Sequence, residues 1–428
     1  MRTPASVALC VAAACGRIGF ELEPTVTVEL VGDGVTVTSE PPGIACPGTC
    51  AAAFVRGTPV TLTAHEGAEA WFQGWRLDCG GRAPCTLVVD DDRVVGATAS
   101  ALPNRIFITS DDVTGAINGI AGADEICRAT AAAAGLAGTF IAYLSSASAN
   151  VAARLGDSRG WIRTGDGEAV AQSLTAREAA HAVWFDEHGA DARGRSAFTA
   201  SFFGSYTNIG DCTDWTVADA TITGTTAVTH GDGLLVTQTQ TPCSASRGLL
   251  CIEIGRTVDV PPAPLPPPTR AAFLSTAAWF PDGGLAGADA LCASEAAAAQ
   301  LAGEFRAALA TTTASIASRF DLAGPPWVRV DGVALAATAA AVFEADYLEA
   351  AIDRGATARH AAVFFHWTGA ASPLSPGSVA TTCSDWSTRA MTSSAQVGYS
   401  TETTTRLVWS TGGNSCDGID LHVVCLER

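Results

Sequence analysis

The strongest constraint on this chain is that its C-terminal three quarters repeat a four-cysteine pattern. Ala121-Gly122-Ala123-Asp124-x-x-Cys127 recurs 165 residues on as Ala286-Gly287-Ala288-Asp289-x-x-Cys292. The same offset relates Leu136 to Leu301, Gly138 to Gly303, Phe140 to Phe305 and Arg154 to Arg319, and it becomes 166 at Trp161-x-Arg163 and Trp327-x-Arg329. Further on, Cys212-x-Asp214-Trp215 answers Cys383-x-Asp385-Trp386, and Cys243 and Cys251-x-Glu253 answer Cys416 and Cys425-x-Glu427. Residues 105–254 and 270–428 are therefore two copies of one folding unit, with insertions placed between motifs where loops tolerate them.

The 428 residues suffice for several domains, and a hydrophobic content of 48% can fill their cores. Asp and Glu number 43 against 25 basic residues, all of them arginine, for a formal charge of -18. Such a surface repels phosphate backbones, so no nucleic-acid partner is expected. The absence of lysine removes Schiff-base chemistry. Of 14 cysteines, those from Cys46 onward fall into three sets of four, as in oxidised, exported domains. None has the Cys-x-x-Cys spacing of a zinc knuckle.

The first residues carry Arg2, an apolar stretch from Ala5 to Val11, and then Ala12-Ala13-Ala14-Cys15-Gly16. This resembles a bacterial lipobox, although Ala12 stands where most lipoboxes have leucine. The resemblance implies a signal peptide over 1–14, lipidation of Cys15, and a place in the cell envelope as an outer-membrane lipoprotein exposed at the surface. Simple secretion is the alternative. No other segment has the ~18 apolar residues of a membrane helix, so the expected membrane attachment is the lipid alone.

Residues 25–102 read as an all-β module. Val26–Leu30, Val35–Thr38, Val60–Thr63 and Thr86–Val89 alternate apolar with polar and are rich in β-branched residues. Pro-Pro-Gly-x-x-Cys46-x-x-x-Cys50, Phe72-x-Gly-Trp75 and Cys79-x5-Cys85 make this segment similar to divergent internalin B-repeats, which implies a spacer or stalk. Four cysteines allow three pairings, and short local loops favour Cys46 with Cys50 and Cys79 with Cys85. Between the repeats, 255–269 is a linker in which six of the eight residues from Pro261 to Pro268 are proline. That composition predicts an extended polyproline II spacer that keeps the repeats apart.

Each repeat reads as α+β: an opening strand (105–109; 271–276), an Ala-rich helix beginning near Asp124 or Asp289, a strand (140–144; 305–309), a short helix ending at Arg154 or Arg319, then long loops. This order of elements and cysteines resembles the C-type-lectin-like domains. The resemblance implies an outer pair, Cys127–Cys251 and Cys292–Cys425, and an inner pair, Cys212–Cys243 and Cys383–Cys416. Both copies also resemble an uncharacterised domain family of bacterial surface lipoproteins, marked by Gly-x-Ala-Gly-Ala-Asp-x-x-Cys near the start and Cys-x-x-Trp with a cysteine pair near the end. That family brings no biochemistry with it.

Asp124 and Asp289, read as lying at helix starts, are expected to cap free N–H groups. Trp215 and Trp386, beside an inner cysteine, are expected in the core. Sugar-binding C-type lectins hold calcium on oxygen ligands, and calcium is the cofactor to consider, with Asp186, Glu187 and Asp191 in the first copy and Glu344, Asp346 and Asp353 in the second as loop candidates. Neither Glu-Pro-Asn nor Gln-Pro-Asp, the tripeptides of those lectins, occurs, and turns explain the acidic residues equally well. No nucleophile elbow, His-Glu-x-x-His or phosphate loop is present. His366 and His422 sit in apolar surroundings and read as core or surface residues, with no catalytic role. No residue is assigned a catalytic or metal-binding role, and the expected function is non-enzymatic: a surface binding or adhesion protein for an extracellular glycan or protein. The alternatives are a structural envelope lipoprotein without a ligand and an extracellular hydrolase. The divergent loops, 161–212 and 327–383, are where a ligand is expected.

Overall fold

The computed structural model describes residues 23–176, 179–202, 205–206, 210–229, 238–263, 265, 267–361, 363 and 365–428. The fold is mixed α+β. Strands dominate, and among the described residues the only helices longer than five residues are Gly119–Ala133 and Gly284–Ala298.

Residues 25–101 build two four-stranded sheets. In one, Thr25–Val31 lies between Ala51–Ala53 and Arg93–Ala101, with Ala70–Leu77 on the far side of the last. In the other, Val35–Glu40 and Thr58–Glu66 are central. Side chains alternate as a half-buried strand requires: Val35, Val37 and Ser39 point inward, while Thr36, Thr38 and Glu40 are exposed. Val26, Val37, Val60, Leu62 and Trp75 are fully enclosed between the sheets. The bridges here are Cys46–Cys50 and Cys79–Cys85.

The same four-strand order appears in both repeats. In the first, Gly248–Ile254 lies antiparallel between Thr139–Ala142 and Asn104–Ile108, and the latter runs parallel to Trp161–Arg163. In the second, Val424–Glu427, Phe305–Ala307, Arg270–Leu274 and Trp327–Arg329 take the same places. The central strand of the first repeat is buried through six of its seven residues, which is why its sequence runs apolar without alternation. Against it packs the helix, through Ala123, Cys127 and Ala131 at a spacing of four; Ala288, Cys292 and Ala296 do the same in the second repeat. Small side chains at these positions bring the helix close enough for Cys127 to bond Cys251 and Cys292 to bond Cys425. The inner bridges are Cys212–Cys243 and Cys383–Cys416.

The aspartates do not cap the helices. The helices begin five residues earlier than the sequence reading, at Gly119 and Gly284, with Asn118 and Gly283 in the cap positions. From inside the helix, Asp124 accepts from the backbone N–H of Ala142 at 2.9 Å and pairs with Arg154. Asp289 likewise accepts from Ala307 N–H at 2.9 Å and pairs with Arg319 at 2.7 Å. Each carboxylate therefore ties helix, neighbouring strand and the following short helix together, which accounts for the recurrence of the arginines as well.

The remaining repeated residues interlock around the last strand. Trp161 and Trp327 are fully buried, and their Nε1 atoms donate to the carbonyls of Glu253 and Glu427 at 2.9 and 2.7 Å. The carboxylates of those same glutamates stand over Gly138 and Gly303. There φ is +126° and +101°, and a Cβ would approach the glutamate Oε1 to 2.2 Å in each case. Trp215 and Trp386 lie in the core, donating to the carbonyls of Ser145 and Ala310 at 2.8 Å each.

The linker does not hold the repeats apart. Arg329 and Arg354 of the second repeat both donate to the carbonyl of Ala179 in the first, at 3.3 and 3.0 Å, and Arg163 of the first donates to Glu349 of the second at 3.3 Å. The contact is thus reciprocal, because the arginine of each Trp-x-Arg motif reaches the other repeat. The linker instead turns back over the β-module, where Arg256 pairs with Glu69 at 2.8 Å and Ala263 lies against Gly74. Proline makes a chain locally stiff, but where its ends go is decided by the surfaces that pack.

Candidate functional site

Where the β-module, the linker and both repeats converge they enclose a cleft of about 910 Å³, within the range of small-ligand sites of ~300–1,000 Å³. The β-module supplies Glu66 and Arg82, the first repeat Arg163, Asp166, Glu168 and His181, the linker Ala263 and Leu265, and the second repeat Val333 and Glu349. Both divergent loop segments thus contribute. The β-module and linker, read in sequence as spacers, form the rest of the wall.

Arg82 is the keystone of the wall. Its side chain is only 9% exposed. Nη2 donates to Glu66 at 2.8 Å and Nε to the carbonyl of Asp166 at 3.0 Å, while the guanidinium lies over the ring of Trp71. Nη1 is buried and has no hydrogen-bond acceptor among the described residues. An unpaired buried donor on a charged group is costly unless something occupies the space beside it.

Arg163 is fully engaged. Nε donates to both oxygens of Asp166 at 2.8 and 2.9 Å, Nη1 to the carbonyl of Ala182, and Nη2 to Glu349, while its plane lies over Trp184. Glu168 differs. Its backbone is fixed, the N–H donating to Asp166 at 3.1 Å and the carbonyl accepting from Arg163 N–H at 3.0 Å, while its side chain makes no hydrogen bond to the described residues. Burial pushes its carboxyl up to about 7 against the opposing charge of Arg82, with Asp166 adding to the rise. His181 is held neutral, its pKa lowered to about 3 by burial and by Arg163, with Nδ1 2.7 Å from the carbonyl of Ala169.

The acidic loop residues singled out in the sequence are mostly committed to structure. Asp186 accepts from the N–H groups of His188 and Ala190 and so closes a turn, and Glu187 accepts from Ser110. Asp353 is fully buried between Arg329 and Arg354. Glu344 is exposed on a one-turn helix. Only Asp191 and Asp346 come together, on a shallow surface where the repeats meet. There Asp191 pairs with Arg193, which lies over the rings of Trp184 and Tyr347. Among the described residues no group of three or more His, Cys, Asp or Glu side chains is placed to hold a metal ion.

His366 and His422 are both buried in the second repeat. His366 stands edge-on to Trp409 and its pKa is lowered by burial to about 3, and His422 Nδ1 lies 2.6 Å from the carbonyl of Ser275. Cys15 lies outside the described residues. Also among the described residues, no helix is long and apolar enough to cross a membrane.

The sequence reading missed the cleft because its wall comes from four separate segments. One signal was present, however. Aligning Asp166-Gly167-Glu168 with Asp331-Gly332-Val333 shows a carboxyl in the first copy where the second has valine, and both side chains line the cleft. No protein-family model matches this chain, and no curated protein matches its sequence.

Proposed function

We propose that this is an exported, non-enzymatic binding or adhesion protein, lipid-anchored at Cys15, with two C-type-lectin-like repeats behind a β-module. The observation that carries the reading is the cleft itself: three folded parts and a linker converge on one concave site. Six disulfides are consistent with an extracellular place. The lectin-like reading is supported by the outer bridge from helix to last strand and the inner bridge across the loop region in both repeats.

One observation favours a hydrolase instead, namely a buried carboxyl with a pKa near 7 beside a second carboxyl. Against it, Asp166 accepts from Arg163 with both oxygens, so this neighbouring carboxylate is held in an ion pair rather than free to act as nucleophile or base. The binding reading is tested by probing glycan and matrix-protein arrays with the mature chain, with and without a chelator. Specific binding is expected, and signal no higher than a denatured control would overturn it. Release of reducing ends from a bound glycan would favour the hydrolase.

A further inference from the structure

Resting on that reading, we propose that the cleft takes up an aliphatic ammonium group, carried on a lysine side chain of a protein ligand or on a free amine, with the carboxylate of Glu168 as its acceptor. Three observations lead there. First, the other carboxylates and guanidinium groups of the wall already have partners: Arg82 pairs with Glu66 at 2.8 Å, and Arg163 pairs with Asp166 at 2.7 Å and Glu349 at 3.3 Å. Second, Glu168 is half-buried and lines the cleft, yet its side chain makes no hydrogen bond to the described residues. Third, the fold does not need a carboxyl there, since the second repeat keeps buried Val333 at the equivalent position. Enclosing a carboxyl in place of valine lowers stability unless something is gained by it.

Glu66, Asp166, Glu168 and Glu349 outnumber Arg82 and Arg163, so the lining is short of positive charge. Arg82 does act on Glu168, but the cost of burial outweighs its attraction. A further cation beside Glu168 offsets that cost, and the chain has no lysine of its own to supply one. An ammonium suits the position better than other cations. It is a compact donor that one oxygen can serve, whereas a guanidinium asks for a planar fork of two. A hard metal ion asks for several convergent oxygens, and Asp166 has already given both of its own to Arg163. Phe72, Ala263, Leu265 and Val333 add an apolar surface for the alkyl chain behind the ammonium.

An ammonium is held by the ionised carboxylate, so binding below about pH 7 must expel the proton of Glu168. The charged groups acting on Glu168 are Arg82 from the β-module, Asp166 and Arg163 from the first repeat and Glu349 from the second, with His65, Glu66 and His181 also lining the cleft. Affinity should consequently rise with pH through neutrality. The test is calorimetric titration of the mature chain with a blocked lysine tripeptide, its acetyl-lysine counterpart and an unbranched diamine, with an arginine tripeptide and calcium as separate arms, at pH 5.5 and 8 in buffers of different ionisation heat. The lysine peptide or the diamine is expected to bind, several-fold more tightly at pH 8 and with proton release at pH 5.5; whichever binds better identifies the source of the ammonium. Glu168→Val, which copies the second repeat, should lose at least tenfold in affinity while unfolding no earlier than the parent, and Glu168→Gln should lose the proton release. Preference for arginine or calcium, or equal binding of the acetyl-lysine peptide, would overturn the ligand class. Amine binding unchanged in both Glu168 variants would overturn the location. Binding on the arrays without amine binding would remove this inference and leave the binding reading intact, and failure in every arm and on the arrays would remove both.

Discussion

At the scale of single residues, the least expected feature is the Cys-x-Asp-Trp motif. Cys212, Thr213, Asp214 and Trp215 all have positive φ, from 49° to 61°, and Cys383 to Trp386 repeat this from 48° to 64°. A left-handed turn of four L-residues is strained by roughly 1–2 kcal/mol per residue. It persists because the disulfide holds one end, the buried tryptophan holds the other, and Asp385 accepts from Thr312 at 2.7 Å between them. Thr213 is exposed and β-branched, so Thr213→Gly should be more stable than Thr213→Ala by about 1 kcal/mol in denaturant unfolding. The buried titratable groups give a second prediction, with opposite signs. His181 and His366 have folded pKa values near 3, below the usual 6.5, so the unfolded chain binds more protons between these values and stability falls as pH drops through that window. Glu168, raised from 4.5 to about 7, acts the other way, its contribution being lost as pH rises toward and through 7. His366→Leu should flatten the acid limb of a stability–pH curve, and Glu168→Gln the neutral one.

At the scale of elements, the Asp–Arg ties decide how helix and sheet dock. Loss of a charged acceptor from the N–H of Ala142 or Ala307, with its arginine left unpaired, should cost about 1–3 kcal/mol in Asp124→Ala or Asp289→Ala. Were these residues caps, Arg154→Ala would leave the helix and its stability untouched; thermal unfolding of Arg154→Ala beside Asp124→Ala separates the two, since the tie predicts a loss in both. Their role was half legible. Recurrence marked Asp124, Asp289, Arg154 and Arg319 as structural, but nothing in the sequence showed that each aspartate faces its arginine, 30 residues away, across a strand. In the β-module, alternating β-branched strands were readable, whereas Ala70–Leu77 was not, since Ala70 to Phe72 and Gly74 to Trp75 are buried on both faces and carry no period of two.

At the scale of the whole molecule, buried arginines form the contact between the two repeats. Arg329 and Arg354 are almost completely buried, held by Asp353 and Asp331, and both end on a single carbonyl of the other repeat. Truncating one partner of such a network leaves charge buried without compensation. Arg329→Met should therefore loosen the repeats, with faster proteolysis in 255–269 and a larger radius of gyration by solution scattering, while each repeat keeps its own disulfide-bonded fold.

The sequence by itself determined the duplication, the α+β character of each copy, the β-module and the readiness of its cysteines to form bridges, because these are written in local period, composition and spacing. It also carried the exchange of Glu168 for Val333, visible only when one copy is laid on the other. Tertiary structure alone decided that the proline linker folds back, that the two Trp-x-Arg motifs clasp opposite repeats, and that Arg82 and Glu168 line one shared cleft. Those are contacts between distant segments, whose energies depend on which surfaces meet and which charges are left without partners. No local pattern along the chain encodes them.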